Sequence, residues 1–383
     1  MIFRFAHKVA CGALLAFFLL PLHRAAAQDI VVGQIGALGL PGTPTGKAVP
    51  EVVQLGEGMK AFFAAINEQG GINGRRINFF QLDDGLEPDR FVAQFGEAMK
   101  RKPLALLSPY GSPAVQRMLS EKLLDNADVV VINAVPGAEA FRKPGHPKLF
   151  HVRAGDGQQI QRITQHIRTL GITRLGVLYV DAPGGASGYS AVVDAASQLG
   201  GLQLTGAKSA LAPGGIEAAG KSLMQAGVQA ALVIGPPKFM ATGVAALKKV
   251  GGTHAIFAMS YLSPAELLAL AGPAAKGVGV AQAFPNPMGV TMPLQREFQA
   301  AMRKAFPDLK SYTAFHLEGY ISAKLFAEVT RKMKRPAAAE FAKTLKAMGE
   351  TDLGGFRLDF SGGQAGSRFV DIAVMSEDGR LRY

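Results

Sequence analysis

The sequence predicts an α/β protein with two lobes, each built on a parallel sheet that helices cover on both faces. Apolar, strand-like segments alternate with segments whose apolar residues recur at helical spacing. This alternation runs through the chain twice and restarts after Phe150. It is typical of doubly wound parallel sheets. A chain of 383 residues is also long enough for about two domains.

The first run begins with a buried strand and a helix whose stripe includes Leu55, Met59 and Phe62. A Gly-rich turn at 70–74 ends that helix. The predicted strands of this run are 30–35, 77–82, 104–107 and 129–132, and its helices are 55–66, 91–99 and 113–124.

The second run has predicted strands at 175–180, 230–234 and 256–259 and helices at 160–170, 191–199 and 264–270. A further helix follows the strand at 230–234 and ends near 251–252. From 298 to 348 the pattern is mostly helical. Two β segments, 355–360 and 368–375, follow around a Gly-rich turn.

The N-terminal segment 1–27 has the pattern of a secretory signal. Two cations, Arg4 and Lys8, precede an apolar run at 9–22, and small residues end the segment at Ala27. The apolar run has 14 residues, whereas a membrane span needs about 20. We therefore expect cleavage near Ala27 and an exported protein; a retained anchor is the alternative.

The cysteine content and the distribution of charge limit the kinds of chemistry and partner that we expect. The single cysteine, Cys11, lies inside the apolar run, so the mature chain would have no disulfide, thiol nucleophile or cysteine metal site. Loss of the segment lowers the formal net charge from +12 to +9. The cations are scattered, many at predicted helix ends, and no nucleic-acid-binding motif is present.

Ligands of open parallel sheets bind beyond the carboxyl ends of the strands. After the third predicted strand come Tyr110, Gly111 and Ser112, and Pro113 then opens a helix. With Ser112 as N-cap, free N–H groups and a hydroxyl would form a seat for a carboxylate. An ordinary capped helix is the alternative.

Two other strand ends carry small residues. Pro136, Gly137 and Ala138 follow the fourth strand and would form either a second wall or only a loop. A Gly-rich loop at 181–188 lacks the Gly-Lys-Ser/Thr of a P-loop, and the glycines after the first strand do not fit a dinucleotide fingerprint.

Signatures of an enzyme are missing from the sequence. There is no Gly-x-Ser-x-Gly elbow, and the histidines show no metal-ligand spacing. We interpret Asp83 and Asp84 as hydrogen-bonding residues of a turn or hinge, and Glu318 as a structural carboxylate at a helix start. We therefore expect no catalysis, no metal and no cofactor.

These segments resemble the leucine/isoleucine/valine-binding group of type I periplasmic solute-binding proteins of ABC importers. The resemblance covers essentially the whole mature chain and is most specific in Asn67-Glu-Gln-Gly-Gly-Ile-Asn-Gly-Arg75. Further matches lie at 83–84, 111–112, 137–142, 274–278, 284–287 and 317–320. It implies two lobes joined by three crossovers, with hinge closure on the ligand.

The resemblance also implies a division of the chain. The first lobe would take 28–150 and, on the return of the chain, 282–350; the second would take 151–281 and 351–383. The implied partners are a small carboxylate-bearing ligand and the membrane permease of an ABC importer, and a monomer is expected.

The family's binding positions match this sequence unevenly. Gly111 and Ser112 match the position that holds the ligand carboxylate. Gly137 stands where amino-acid binders often have Thr, and Ser260 near the acidic residue that holds the ligand ammonium. The aromatic positions fall at Thr45 and Gly184, and a Tyr-containing loop becomes Gly235-Pro236-Pro237.

Because a buried ammonium without a partner is costly, we expect a carboxylate ligand that need not carry an α-amino group, in a roomier cleft. Branched-chain amino acids and related organic or aromatic acids are the candidates. A ligand-sensing receptor with the same fold and, less in keeping with the residues, an exported enzyme are the alternatives.

Overall fold

A computed structural model describes residues 28–40, 48–251 and 255–383. The first lobe has a five-stranded, fully parallel sheet with the order β2-β1-β3-β4-β5. Its strands are β1 (Ile30–Gly36), β2 (Ile77–Asp83), β3 (Ala105–Leu107), β4 (Val130–Ile132) and β5 (Leu149–Phe150). Its helices are α1 (Pro50–Glu68), α2 (Pro88–Lys100), α3 (Ser112–Ser120), α9 (Pro293–Ala305), α10 (Ala314–Lys332) and α11 (Ala338–Ala347).

This sheet is buried on both faces. Along β4, Val130 and Ile132 enter one apolar core, whereas Val131 enters the core on the opposite face. Such alternation follows from the two-residue period of a strand. The apolar run at 129–132 is therefore the signature of a strand covered by helices on both sides.

Helices α1 and α10 pack together unusually closely because each presents a glycine to the other. A Cβ at Gly58 would lie 1.9 Å from the carbonyl oxygen of His316, and one at Gly319 would lie 2.0 Å from that of Leu55. No side chain fits at those distances. The return helix α10 is thereby fixed on the first lobe, and it carries Glu318 with it.

The second lobe has a seven-stranded sheet with the order β14-β13-β10-β9-β8-β6-β7. Strands β6 to β10 are parallel, whereas β13 and β14 add antiparallel at one edge. The strands are β6 (Arg174–Val180), β7 (Gln203–Ser209), β8 (Ala230–Ile234), β9 (Ala255–Ala258), β10 (Gly279–Gln282), β13 (Asp371–Met375) and β14 (Leu381–Arg382). The helices are α4 (Asp156–Thr169), α5 (Pro183–Leu199), α6 (Pro213–Gln225), α7 (Pro237–Lys249) and α8 (Pro264–Ala271).

A small hairpin departs from the predicted division of the chain. Strands β11 (Glu350–Asp352) and β12 (Arg357–Asp359) pair only with each other. The apolar side chains of Phe356, Leu358 and Phe360 pack into the core of the first lobe. Of the segment 351–383, which we expected in the second lobe, only β13 and β14 join the second sheet.

In the described parts of the chain, three segments pass between the two lobes: 151–155, 283–292 and 361–370. The first and third are hydrogen-bonded to each other, because His151 N donates to Gln364 O at 2.7 Å and Gly366 N donates to His151 O at 2.9 Å. None of the described helices is long and apolar enough to cross a membrane. The predicted signal segment 1–27 lies outside the described residues.

Candidate ligand-binding cleft

A cleft of about 1860 Å³ separates the two lobes. The segments that follow β3 and β4 line it from the first lobe, and those that follow β6, β8 and β9 line it from the second. These are carboxyl ends of parallel strands, where ligands of such sheets bind. The volume exceeds the roughly 300–1,000 Å³ of common ligand pockets, as suits a cleft that is open between its walls.

The structure brings most of the predicted site residues together in this cleft. Nine of the ten line it: Tyr110, Gly111, Ser112, Pro136, Gly137, Ala138, Gly184, Gly235 and Ser260. The tenth, Thr45, lies outside the described residues.

The start of α3 forms one wall, with a cap that differs from our prediction. Gly111, not Ser112, is the N-cap, with φ +90°, and Ser112 is the first helical residue. Glycine adopts this left-handed conformation without steric cost. The Ser112 side chain is consequently not engaged in capping; it is exposed and lines the cleft. As at any helix start, the N–H groups of Ser112 and Ala114 have no acceptor within the helix.

The wall at Gly137 is tighter than we expected. The Tyr261 hydroxyl donates a hydrogen bond to Asp156 Oδ1 at 2.5 Å, and Asp156 N donates to Gly137 O at 2.9 Å. A Cβ at Gly137 would lie 2.2 Å from the Tyr261 hydroxyl oxygen. The expectation of a roomier cleft is therefore wrong at this position, because Tyr261 and Asp156 fill the space that the glycine leaves. Burial raises the pKa of both Asp156 and Tyr261.

Ser260 belongs to a buried polar group that we call the hinge cluster, consisting of Asn133, Arg153, Ser260 and Glu318. Arg153 forms a bidentate ion pair with Glu318, with Nε donating to Oε1 at 3.0 Å and Nη2 donating to Oε2. Arg153 Nη1 donates to Ser260 Oγ. Asn133 Nδ2 donates to Glu318 Oε1 at 2.9 Å.

The side chains of Arg153 and Glu318 are at most 1% exposed. Burial works against the charge of Arg153, but Glu318, together with smaller contributions from Tyr261 and Tyr110, raises the pKa of Arg153. The guanidinium also lies over the rings of Tyr261, Phe284 and Phe315, with 5.1–5.6 Å from Cζ to the ring centroids. Aromatic rings attract a cation at this range.

Ser260 is engaged within the hinge cluster. Ser260 accepts a hydrogen bond from a cation, and its backbone N–H donates to Gln159 Oε1 at 3.0 Å. A ligand ammonium at this point would meet Arg153 instead of a carboxylate. Glu318, which we interpreted as structural, is the buried partner of that arginine.

The Gly-rich segment 181–188 is a helix start and not a loop. Helix α5 begins at Pro183, and Gly184 is exposed in its first turn with no other atom within 4 Å of a Cβ placed there. A Cβ at Gly185 would lie 1.9 Å from Val180 O, so the helix starts directly against the end of β6. Gly235 follows β8, and the ring of Phe239 lies 2.7 Å from its Cβ position.

Asp83 and Asp84 hold a turn. Asp83 accepts from the N–H groups of Leu40 and Gly85, and Asp84 accepts from that of Leu86. Burial, chiefly, raises the pKa of Asp84 to about 6. Within residues 28–40, 48–251 and 255–383, no three His, Cys, Asp or Glu side chains lie close enough together to hold a metal ion.

Comparison with known proteins agrees with this architecture. The profile of the periplasmic binding protein family matches residues 37–379. An extracellular ligand-binding receptor from Verminephrobacter eiseniae is 47% identical, with a TM-score of 0.87 over 93% of this chain and 100% of its own. A substrate-binding periplasmic protein from Ralstonia solanacearum is 25% identical, with a TM-score of 0.80 over 92% and 99%.

An ABC transporter substrate-binding protein from Desulfitobacterium hafniense in complex with Leu shares the fold, at 19% identity and a TM-score of 0.77 over 93% of this chain and 99% of its own. No curated protein sequence matches significantly. The chain belongs to the periplasmic binding protein family. Its two lobes are those of the type I fold, and membership places it among proteins of the periplasm.

Proposed function

We propose that the chain is the substrate-binding component of an ABC importer and that it captures a small carboxylate-bearing solute by closing its cleft. The single observation that carries the ligand class is the start of α3. There an exposed Ser112 hydroxyl and two helix-start N–H groups without a helical acceptor line the cleft. A carboxylate accepts hydrogen bonds from such groups, and the helix dipole favours its charge.

Part of the remaining lining favours an apolar body on the ligand. Pro136, Ala138 and Pro236 carry no side-chain hydrogen-bonding groups, and Met259 and Phe315 add apolar surface. A branched-chain amino acid or a related organic or aromatic acid would satisfy both parts of the cleft. The role of the predicted positions, including Gly184, Gly235 and Thr45, in contacting it is part of this proposal.

Export and delivery complete the proposal. The segment 1–27 would direct secretion and be removed near Ala27, leaving a monomer that delivers its ligand to a membrane permease. The Desulfitobacterium protein is an ABC transporter substrate-binding protein, which supports this context. We infer that binding occurs without chemical turnover, since the family is one of solute-binding proteins.

The test is a thermal-shift screen of amino acids, aromatic carboxylates and dicarboxylates, because a ligand of the folded state raises the melting temperature. Ser112→Ala should weaken the hit by roughly tenfold or more, the scale of a hydrogen bond to a charged group. Ser197→Ala, an exposed serine of α5 outside the cleft, is the matched control. Equal affinity of the Ser112 and Ser197 variants would remove Ser112 from the site.

A ligand-sensing receptor is the second candidate, and one observation favours it: the relative at 47% identity is described as an extracellular ligand-binding receptor. Uptake of the labelled hit, compared in cells with and without the gene, separates the two. An importer component should be required for uptake, whereas a receptor should leave uptake unchanged and alter a downstream response.

A further inference from the structure

The amino ends of the first-lobe strands lie on the side of that lobe opposite the cleft. Strands β1, β2 and β3 start level with one another, since Ile30 pairs with Ile77 and Val32 with Ala105. The cleft is lined by segments that follow the carboxyl ends of parallel strands. The segments that precede β1, β2 and β3 therefore form the far end of the first lobe.

The turn before β2, the segment before β3 and the end of α10 meet at this far end. Asn73 Nδ2, in the turn before β2, donates to Arg331 O at the end of α10 at 3.1 Å. Leu104 N, just before β3, donates to Val31 O of β1 at 2.8 Å. Each of the three segments is rich in lysine and arginine. Cations that are far apart in the sequence are therefore gathered in one place.

Most of these cations are not neutralised within the protein. Glu97 pairs with Lys100, and Glu328 pairs with Arg331. Six other cations are exposed and form no ion pair within residues 28–40, 48–251 and 255–383, and we call them the basic end. They are Arg76, Arg101, Lys102, Lys332, Lys334 and Arg335.

The carboxylates beside these segments do not offset the charge of the basic end. Asp29 is exposed just before β1. Asp128 accepts a hydrogen bond from Ala338 N at 3.1 Å, and Glu340 is in the first turn of α11. Six cations against these three carboxylates leave a positive surface. Its field reaches about 8 Å into a solution of physiological ionic strength.

The predicted signal segment 1–27 joins the protein at the same end. Arg75 Nε donates to Gln28 O at 2.6 Å. The residue that follows the segment in the sequence therefore lies in the turn that carries part of the basic end. While the apolar run at 9–22 is still attached, it would bring this end of the protein to the lipid headgroups.

We propose that the basic end binds the anionic headgroups of a phospholipid membrane and holds the protein on the membrane surface, with the cleft away from the lipid. Anionic headgroups attract clustered lysine and arginine side chains. None of the large apolar side chains that are exposed in the described chain lies in these segments. We therefore expect reversible adsorption without insertion. The proposal goes beyond solute capture, because the cleft walls take no part in it.

The test is co-sedimentation of the mature protein, residues 28–383, with vesicles. The mature form is used so that the apolar run at 9–22 cannot itself bind lipid. One set of vesicles is phosphatidylcholine alone, and the other has equal parts of phosphatidylcholine and phosphatidylglycerol. The protein should bind the anionic vesicles and not the neutral ones. Binding should fall steeply from low to physiological salt, because salt screens exposed charges.

Two triple variants locate the binding surface. The first removes exposed lysines of the basic end: Lys102→Gln, Lys332→Gln and Lys334→Gln. It should weaken binding to the anionic vesicles roughly tenfold or more, since each basic residue near an anionic surface contributes several-fold. The matched control removes the same charge from exposed lysines of the second lobe outside the cleft: Lys208→Gln, Lys249→Gln and Lys276→Gln. It should change binding by about twofold or less, because those lysines are distant from the lipid.

Three results would overturn the proposal. Equal weakening by the two triple variants would show that the total charge, and not this end of the first lobe, attracts the lipid. Equal binding to neutral vesicles would show that the headgroup charge is irrelevant. Binding to polyglutamate without binding to the anionic vesicles would assign the basic end to an acidic protein instead. Both variants should keep the thermal-shift response to any solute of the cleft, so this test and that of the proposed function fail independently.

Discussion

The start of α3 and the hinge cluster both offer hydrogen-bonding groups, but only one of them has its partners within the protein. At the start of α3 the Ser112 hydroxyl is exposed and makes no capping bond. In the hinge cluster Arg153 donates to both oxygens of Glu318 and to Ser260. The difference shows which polar groups remain available to a ligand: those at the walls, and not those that hold the lobes together.

The largest effect on stability should come from breaking the hinge ion pair. Glu318→Gln leaves Arg153 buried and charged without a carboxylate, and we expect a loss of about 3–5 kcal/mol in the free energy of unfolding. Urea denaturation measures it. Glu328→Gln, which removes an exposed helix ion pair with Arg331, is the control and should cost about 0.5 kcal/mol or less. Similar losses in the two variants would mean that the cluster is not a structural unit.

We expect a loss of stability of intermediate size when Gly137, in the cleft wall, is replaced. Gly137→Ala would place a methyl group against the Tyr261 hydroxyl and Asp156, and overpacking of this kind costs about 1–3 kcal/mol. Thermal unfolding measures the loss. Adding Tyr261→Phe removes one of the two contacts and should recover part of the stability. No recovery in the double variant would show that the strain lies elsewhere.

The smallest expected effects on stability come from two serines, Ser260 in the hinge cluster and Ser112 at the start of α3. Ser260→Ala deletes an acceptor of a buried guanidinium and should cost about 1–2 kcal/mol of stability. Ser112→Ala deletes an exposed hydroxyl and should leave stability within about 0.5 kcal/mol. Urea denaturation curves of the two variants, recorded without ligand, measure these losses. If Ser112→Ala destabilises as much as Ser260→Ala, Ser112 has a structural partner and the proposed division of roles fails.

Much of the fold was predictable from apolar patterns. The segments at 30–35, 104–107 and 230–234 are strands, as expected of buried parallel strands with largely apolar sequences. The segment at 77–82 is also a strand, although apolar and polar residues mix along it. Strand β7 (Gln203–Ser209) escaped prediction because it is the edge of its sheet and largely polar and exposed. Helix α5 was predicted to begin only at Ala191, since its first turns are Gly-rich.

The site was predictable only where it follows the ends of strands. Gly111 and Ser112 could be placed from the strand before them, although the capping role fell to Gly111. Arg153 and Glu318 are 165 residues apart, and neither lies in a local sequence pattern that predicts its partner.

The hydrogen bonds of Arg153 also bear on the strength of ligand binding. Its guanidinium is bonded to Glu318 on a helix of the first lobe and to Ser260 at the end of a strand of the second. Any rotation of one lobe on the other has to keep or exchange that bond, so the cluster contributes to the balance between open and closed forms. Apparent affinity scales with the fraction of molecules in the binding-competent form. The dissociation constant of this protein can therefore be shifted at Arg153 and Glu318, neither of which lines the cleft.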